Sequence, residues 1–263
     1  MNNRKALLID VNLCVGCNAC VEACREENNH PEEGDTSLLS STAYTAVIEM
    51  EDVYTRRMCM HCEVPTCVSV CPVGALEKTE SGAVIYHYEK CIGCRYCMQA
   101  CPYSIPTYEW NNTKPKVQKC TMCYPRQKVG DIPACAEACP AEATIFGDRD
   151  ELLEIARQRK IDEPETYIDH IFGEHEAGGT SVLYASSVPF GDLGLPMNLP
   201  NEPLPNLTWE VLSKIPRFSV FFGTFLYGIW WVIDRRIEIS ENNNNDNRLT
   251  KRVWDQRQEK DQV

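Results

Sequence analysis

Apolar positions along this 263-residue chain change character from one region to the next. From residue 1 to about 147 they come in short pieces. Thr45, Val47 and Glu49 alternate with Ala46, Ile48 and Met50, the period-two pattern of a half-buried strand, so Tyr44–Met50 is expected to be extended. Ala83–Tyr86 and Ala143–Phe146 are the other candidate strands here, and short helical turns are expected after the third cysteine of each cysteine run. Residues 148 to about 175 look helical and charged: Asp148 or Asp150 can cap a helix whose Leu152, Leu153, Ile155 and Ala156 form one apolar face. Residues 176–207 are rich in Gly and Pro, with a strand at Ser181–Val182–Leu183–Tyr184 and turn residues Pro189, Gly191, Gly194 and Pro196 after it. The last long apolar stretch is Phe218–Ile233, free of charge, followed by a polar tail that includes Asn242–Asn245 and reads as disordered.

Composition changes this picture in one respect. The chain has 16 cysteines, all between Cys14 and Cys139, in four local runs. Core cysteines would be scattered. A formal net charge of −12 argues against a nucleic-acid partner, which calls for a basic patch. After Met1 only Ala6–Ile9 is apolar, too short for a secretory leader, and no twin-arginine pair precedes Cys14. The expectation is a chain that stays in the cytoplasm or crosses a membrane bound to a partner carrying the signal.

Cysteine spacing carries the chemistry. Cys14, Cys17, Cys20 and Cys24 are spaced C-x2-C-x2-C-x3-C, as are Cys91, Cys94, Cys97 and Cys101. Cys59, Cys62, Cys67 and Cys71 have a four-residue central spacer, and Cys120, Cys123, Cys135 and Cys139 a longer loop between pairs. Pro72, Pro102 and Pro140 follow three of the runs, whereas Arg25 follows the first. This is the bacterial ferredoxin pattern, in which three thiolates wrap one iron–sulfur cubane and the fourth reaches the other cluster of a pair. Proline cannot donate a competing backbone hydrogen bond just after that ligand. Gly16 and Gly93 allow close backbone approach. Zinc is the competing reading, but three cysteines two residues apart with a fourth three residues on are not its usual arrangement. A disulfide framework is out of place in a chain of this length with ample core residues. Four runs of four supply four [4Fe–4S] clusters, and crossed ligation pairs the runs; spacing alone does not say which.

These motifs resemble the four-cluster ferredoxin-type subunits of bacterial membrane-bound oxidoreductases, most of all the formate dehydrogenase beta subunit and the uptake hydrogenase iron–sulfur subunit. The resemblance rests on Cys14-Val-Gly-Cys-Asn-Ala-Cys20, Met60-His-Cys62, Cys67-Val-Ser-Val-Cys-Pro72, Cys91-Ile-Gly-Cys-Arg-Tyr-Cys97, Cys101-Pro-Tyr-Ser-Ile-Pro106, Lys119-Cys-Thr-Met-Cys123 and Ala134-Cys-Ala-Glu-Ala-Cys-Pro140. It extends through Ile145-Phe-Gly147 and Gly178-Gly-Thr180 and covers roughly residues 4–235. It implies nested pairing: Cys14, Cys17, Cys20 and Cys139 for a first cluster, Cys24, Cys120, Cys123 and Cys135 for a second, Cys59, Cys62, Cys67 and Cys101 for a third, and Cys71, Cys91, Cys94 and Cys97 for a fourth. The implied fold is α+β: two ferredoxin-like di-cluster modules with little regular secondary structure over residues 1–147, the inner at about 57–107, then an extension at 148–207, a transmembrane helix at 208–235 and a disordered tail at 236–263. The implied role is single-electron transfer, without catalysis by this chain, between a catalytic subunit (molybdenum or tungsten pterin, or nickel–iron) and an integral cytochrome b or quinone-reactive subunit; a free-standing soluble polyferredoxin is the alternative.

Phe218–Ile233 spans roughly 24 Å as a helix, against about 30 Å of hydrocarbon core. Lys214 and Arg217 can snorkel and Trp230 and Trp231 suit an interface, so a single span contacting the bilayer through 218–233 is expected. Arg235, Arg236, Arg248, Lys251 and Arg252 after the run place the tail in the cytoplasm and the clusters outside, at the cytoplasmic membrane. His61 lies between two ligands; four cysteines already complete that set, so a role beside the site is favoured over a Rieske-type ligand. Tyr96 and Tyr103 either cover clusters or pack in an ordinary core. Lys119 either places a positive charge near a cluster or is solvated. No nucleophile–base pair, phosphate loop or dinucleotide fingerprint is present.

Overall fold

The computed structural model describes residues 4–31, 34–50 and 53–260, with backbone alone for 242–247 and 249–260. Its strands are β1 (Lys5–Asp10), β2 (Thr45–Met50), β3 (Val53–Met58), β4 (Leu76–Lys78), β5 (Val84–Tyr86), β6 (Thr107–Tyr108), β7 (Val117–Gln118), β8 (Thr144–Asp148) and β9 (Val182–Ala185). The helices are α1 (Ala19–Glu27), α2 (Thr66–Ser69), α3 (Tyr96–Ala100), α4 (Tyr124–Lys128), α5 (Ala134–Glu137), α6 (Arg149–Asp162), α7 (Leu204–Leu212) and α8 (Ile215–Lys260). The chain divides into two compact units, Met1–Leu207 and Thr208–Val263.

In the first unit β1 is the central strand of a three-stranded sheet ordered β8-β1-β9. It runs antiparallel to β8, Leu7 opposite Phe146, and parallel to β9, Leu7 opposite Val182. Its sequence, KALLID, is apolar without alternation because both faces are covered. Leu7 and Ile9 face a core that includes Cys59, Cys120, Cys135, Tyr184 and Phe172. Ala6 and Leu8 face the opposite way, against Leu152, Leu153 and Ala156 of α6. The period-two geometry of a strand thus gives one side of β1 to the cysteines and the other to a helix.

The candidate strands are found with shifted ends, and β1, β3, β4, β6 and β7 join them. β3 carries Thr55, Arg56 and Arg57, polar residues that give no strand signal, yet Thr55 and Arg56 are buried. Helix α6 begins after Asp148, whose side chain makes no capping hydrogen bond. Leu152, Leu153 and Ala156 are buried, but Ile155 is 40 % exposed and lies outside the apolar face assigned to it. Residues 163–175, expected to be helical, form no helix, and Phe172 packs there against Phe190 with ring centroids 5.3 Å apart.

The second unit holds the apolar run, inside the 46-residue helix α8. Among the described residues no helix is long and apolar enough to cross a membrane. The expected transmembrane helix at 208–235, with its bilayer contact through 218–233, is therefore corrected. A span needs about 20 predominantly apolar residues. Here Arg217 and Asp234–Arg235–Arg236 close the run after sixteen, and Ser219, Gly223, Thr224, Tyr227 and Gly228 dilute it. Residues 236–260, expected to be disordered, continue the helix, and 261–263 lie outside the described residues.

Leu8 is fully buried between β1 and α6. Leu8→Ala should destabilise the first unit by about 2–5 kcal/mol, read as a lower denaturant midpoint with iron content unchanged.

Candidate metal centres

Each cysteine run folds by the same local rule. The residue just before the second cysteine has positive φ in all four: Gly16 (69°), His61 (48°), Gly93 (70°) and Met122 (57°). This left-handed turn aims backbone N–H groups at sulfur. Gly93 N–H donates to Cys91 Sγ at 3.4 Å and Met122 N–H to Cys120 Sγ at 3.2 Å. A Cβ at Gly16 would sit 2.6 Å from the Tyr54 ring, and one at Gly93 2.7 Å from the Pro115 carbonyl oxygen. A helical turn then begins one residue before the third cysteine, in α1, α2, α3 and α5, slightly earlier than the spacing suggested.

The proline rule has a visible effect. The helical turn ends just before Cys71, Cys101 and Cys139, and the chain then bends back through Gly74, Ser104 and Glu142, all with positive φ. Cys24 is followed by Arg25 instead, and α1 continues to Glu27, nine residues against four or five in α2, α3 and α5.

Folding gathers the sixteen thiols into four sets. Cys14, Cys17, Cys20 and Cys139 line one cavity. Cys24, Cys120, Cys123 and Cys135 line a second. Cys71, Cys91, Cys94 and Cys97 line a third. Cys62 is surrounded by Cys59, Cys101 and Cys67, which act on it electrostatically. We number these sets one, two, four and three, following the expected cluster order. The sets succeed one another in space: Cys20 senses Cys135, Cys120 senses Cys59, and Cys67 senses Cys97. Only Cys17, in set one, and Cys94, in set four, are exposed.

The donor chemistry fits an iron–sulfur cluster. Every set is four thiols, the soft ligands such clusters take. Among the described residues no group of three or more His, Cys, Asp or Glu closes on a single-ion position. In sets one, two and four the thiols stand around a cavity, as a multi-metal core requires, rather than around a point. Burial pushes the Cys24 and Cys67 thiols up to about 12 and those of Cys97 and Cys123 to about 11. Neighbouring thiols add to the rise in each. Metal binding must therefore displace protons that these side chains otherwise hold at neutral pH.

Buried positive charge answers the thiols. Lys119 is 3 % exposed; its Nζ donates to the Val84 and Cys120 carbonyl oxygens at 2.5 and 2.8 Å, and its charge favours the Cys67 thiolate. It is not solvated. Lys78 Nζ donates to the His61 carbonyl at 2.9 Å and acts on Cys62 in the same sense. His61 is fully buried, and its Nδ1 accepts the Val84 N–H at 2.8 Å, which assigns the proton to Nε2. Burial, with Lys119 and Lys78 nearby, holds its pKa well below the usual value. His61 is thus a neutral group set between ligands by its αL turn. Tyr103 is buried and packs edge-on to Phe172, while Tyr96 lines the set-four cavity but is 63 % exposed and does not seal it. Arg56, which lines two cavities, was not singled out by sequence. Its only sequence signal is a charged residue within the run leading to Cys59.

Glycine substitution separates turn strain from crowding. Gly93→Ala meets both, and should cost iron from set four as well as stability. Gly74→Ala, also at positive φ but with nothing within 4 Å of the new Cβ, should cost only about 1–2 kcal/mol and leave iron bound. Iron per chain and denaturant midpoint check both.

Comparison with known proteins agrees with this geometry. Residues 50–149 match the 4Fe-4S dicluster domain model and residues 7–27 the 4Fe-4S binding domain model. A protein of Nitratidesulfovibrio vulgaris is 36 % identical over 251 residues, covering 89 % of this chain and 68 % of its own. The hydrogenase-2 operon protein HybA of Escherichia coli O157:H7 is 37 % identical over 238 residues, 72 % of each chain. The iron–sulfur subunit of the nitrate-inducible formate dehydrogenase of Escherichia coli K12 is 36 % identical over 198 residues, 68 % of this chain and 67 % of that one. With crossed thiol sets, ferredoxin-type turns and relatives of this extent, the chain belongs to the ferredoxin-type iron–sulfur subunits of oxidoreductases.

Proposed function

We propose that this chain is a non-catalytic relay that carries single electrons through four [4Fe–4S] clusters between a catalytic subunit and a membrane-integral, quinone-reactive or cytochrome b subunit. The observation that carries the reading is the gathering of sixteen cysteines into four sets of four that follow one another through the first unit. Cys14, Cys17, Cys20 and Cys139 would hold the first cluster, Cys24, Cys120, Cys123 and Cys135 the second, Cys59, Cys62, Cys67 and Cys101 the third, and Cys71, Cys91, Cys94 and Cys97 the fourth. When bound, each cluster supplies a one-electron couple whose potential depends on burial, nearby charge and hydrogen bonds to sulfur.

The protein's own residues do the rest. Backbone N–H groups of Gly93 and Met122 donate to ligand sulfur, and Ala75 N–H donates to Cys71 Sγ at 3.2 Å. Sets two and three lie in the interior, with Cys24, Cys59, Cys120 and Cys135 buried, so water is kept from the middle of the path. Sets one and four each have an exposed thiol, beside Val15 and beside Ile92 and Tyr96, apolar residues that are themselves more than 60 % exposed. Electron entry and exit at these two mouths supports two partners, one at each end. The HybA and formate dehydrogenase relatives are named for hydrogenase and formate oxidation, which favours a nickel–iron or pterin-metal catalytic subunit. In this reading the protein resides at the cytoplasmic membrane through its integral partner.

Anaerobic analysis of the full chain should find about sixteen iron and sixteen sulfide per chain, four of each per site. Zinc in their place, or half the iron, sinks the four-cluster reading. Cys14→Ala and Cys139→Ala should alter the same electron paramagnetic resonance signal, although the two residues lie at opposite ends of the cysteine region. Different signals would reject the crossed assignment.

A further inference from the structure

Sets one and two, the outer pair in the sense that the first and last cysteine runs build them, share a buried cation. Arg56 lies on β3, 2 % exposed, and lines both the set-one and the set-two cavity. Its Nε donates to Thr45 Oγ1 at 2.9 Å on β2, one terminal nitrogen donates to Thr144 Oγ1 at 2.9 Å on β8, and the other lies 2.9 Å from Met58 Sδ. The Tyr184 hydroxyl donates to its backbone carbonyl at 2.6 Å. Among the described residues no carboxylate pairs with it, although other buried or half-buried arginines such as Arg149 do have one. Its electrostatic neighbours are thiols from both sets and the Tyr184 phenol. Cys135 and Cys20 act on the guanidinium, and the guanidinium in turn favours the thiolates of Cys14, Cys20 and Cys24.

A purely structural strap between β2, β3 and β8 is the plain alternative. It requires donors toward Thr45 and Thr144 but no charge, and a buried cation without a counter-ion is strongly disfavoured. The charge has a purpose once the thiols on either side are thiolates. Reduction of either site adds one more negative charge beside the same guanidinium, so a fixed cation there favours the reduced form of both. The inner sets are served differently: Lys119 and Lys78 both act on ligands of set three.

We propose that Arg56 is the shared counter-cation of the two outer metal sites, a positioning residue that raises the electron affinity of both together. This rests on the cluster assignment above.

The test uses full-length chains carrying Arg56→Gln or Arg56→Lys, assembled anaerobically with iron and sulfide and titrated by electron paramagnetic resonance. Gln keeps an amide donor without the charge; Lys keeps the charge without the planar fork. In Arg56→Gln, the two couples altered by Cys14→Ala and Cys24→Ala should each lose about tenfold in electron affinity, a shift of about 59 mV for a one-electron couple. The inner pair should move much less, and Arg56→Lys should return both outer couples toward the unmodified protein. If Arg56→Gln fails to load the outer sites while Arg56→Lys loads them with near-normal potentials, the charge is required and the proposal stands. It is overturned if loaded Arg56→Gln has unchanged potentials, if only one outer couple moves, if all four move alike, or if Gln and Lys lose iron equally. Unmodified protein without iron and sulfide would instead overturn the cluster reading itself, a result separable from all of these.

Discussion

The fourth cysteine of each run joins a different set of thiols from the other three, and the architecture follows from that crossing. Cys139 completes the set begun at Cys14, and Cys24 completes the set built from Cys120, Cys123 and Cys135. The first and last runs must therefore lie side by side. The pairing of β1 with β8 brings them there, Leu7 opposite Phe146 and Ile9 opposite Thr144. Inside this outer pair the second and third runs exchange Cys71 and Cys101 in the same way, with the β4–β5 hairpin between them. Each metal held would close a long loop of chain and restrict the unfolded ensemble, much as a cross-link does. Short strands and four-residue helices suffice because the cross-links, not extended ladders, tie the segments together.

With metal bound the same arrangement would concentrate thiolate charge in the interior, and the molecule faces it with buried cations whose hydrogen bonds are mostly to neutral groups. Arg56 binds two threonine hydroxyls, and Lys119 binds two backbone carbonyls. Among the described residues neither charge is paired with a carboxylate, so each faces the thiols. Glu63 belongs to a separate network. It hydrogen-bonds Arg4, lies near Lys78 and Arg149, and accepts from Ser181 Oγ at 3.1 Å, tying the second run to the start of β9. The extension after α6 thus packs against the cysteine region and supplies part of its cover through Phe172, Tyr184 and Phe190.

The apolar run of the second unit shows where analogy overreached. Its length was borderline by the dimensions of a bilayer, and resemblance to anchored relatives was what favoured a span. The helix α8 exists, but its apolar part is too short and too diluted by small and polar residues to cross a membrane. Composition alone predicts disorder for the Asn-rich tail, whereas its backbone continues α8 to Lys260.

Local chemistry was legible in the sequence: the cysteine spacing, the glycines at Gly16 and Gly93, the Cys-Pro stops and the short strands near the sites are all set by interactions within a few residues. β1 escaped notice because a strand buried on both faces does not alternate, and β3 because its buried residues include Thr55 and Arg56. Which thiols share a cavity, that Lys119 is buried, and that Arg56 stands between two sets were decided by tertiary structure. The reason is physical: the outer crossing depends on β1 pairing with strands more than a hundred positions away, and Lys119 and Arg56 are placed by contacts 35 and 88 positions away, which no local pattern records. The sequence by itself determined that this chain holds four thiol quartets; only the fold decided their order in space and the cations that face them.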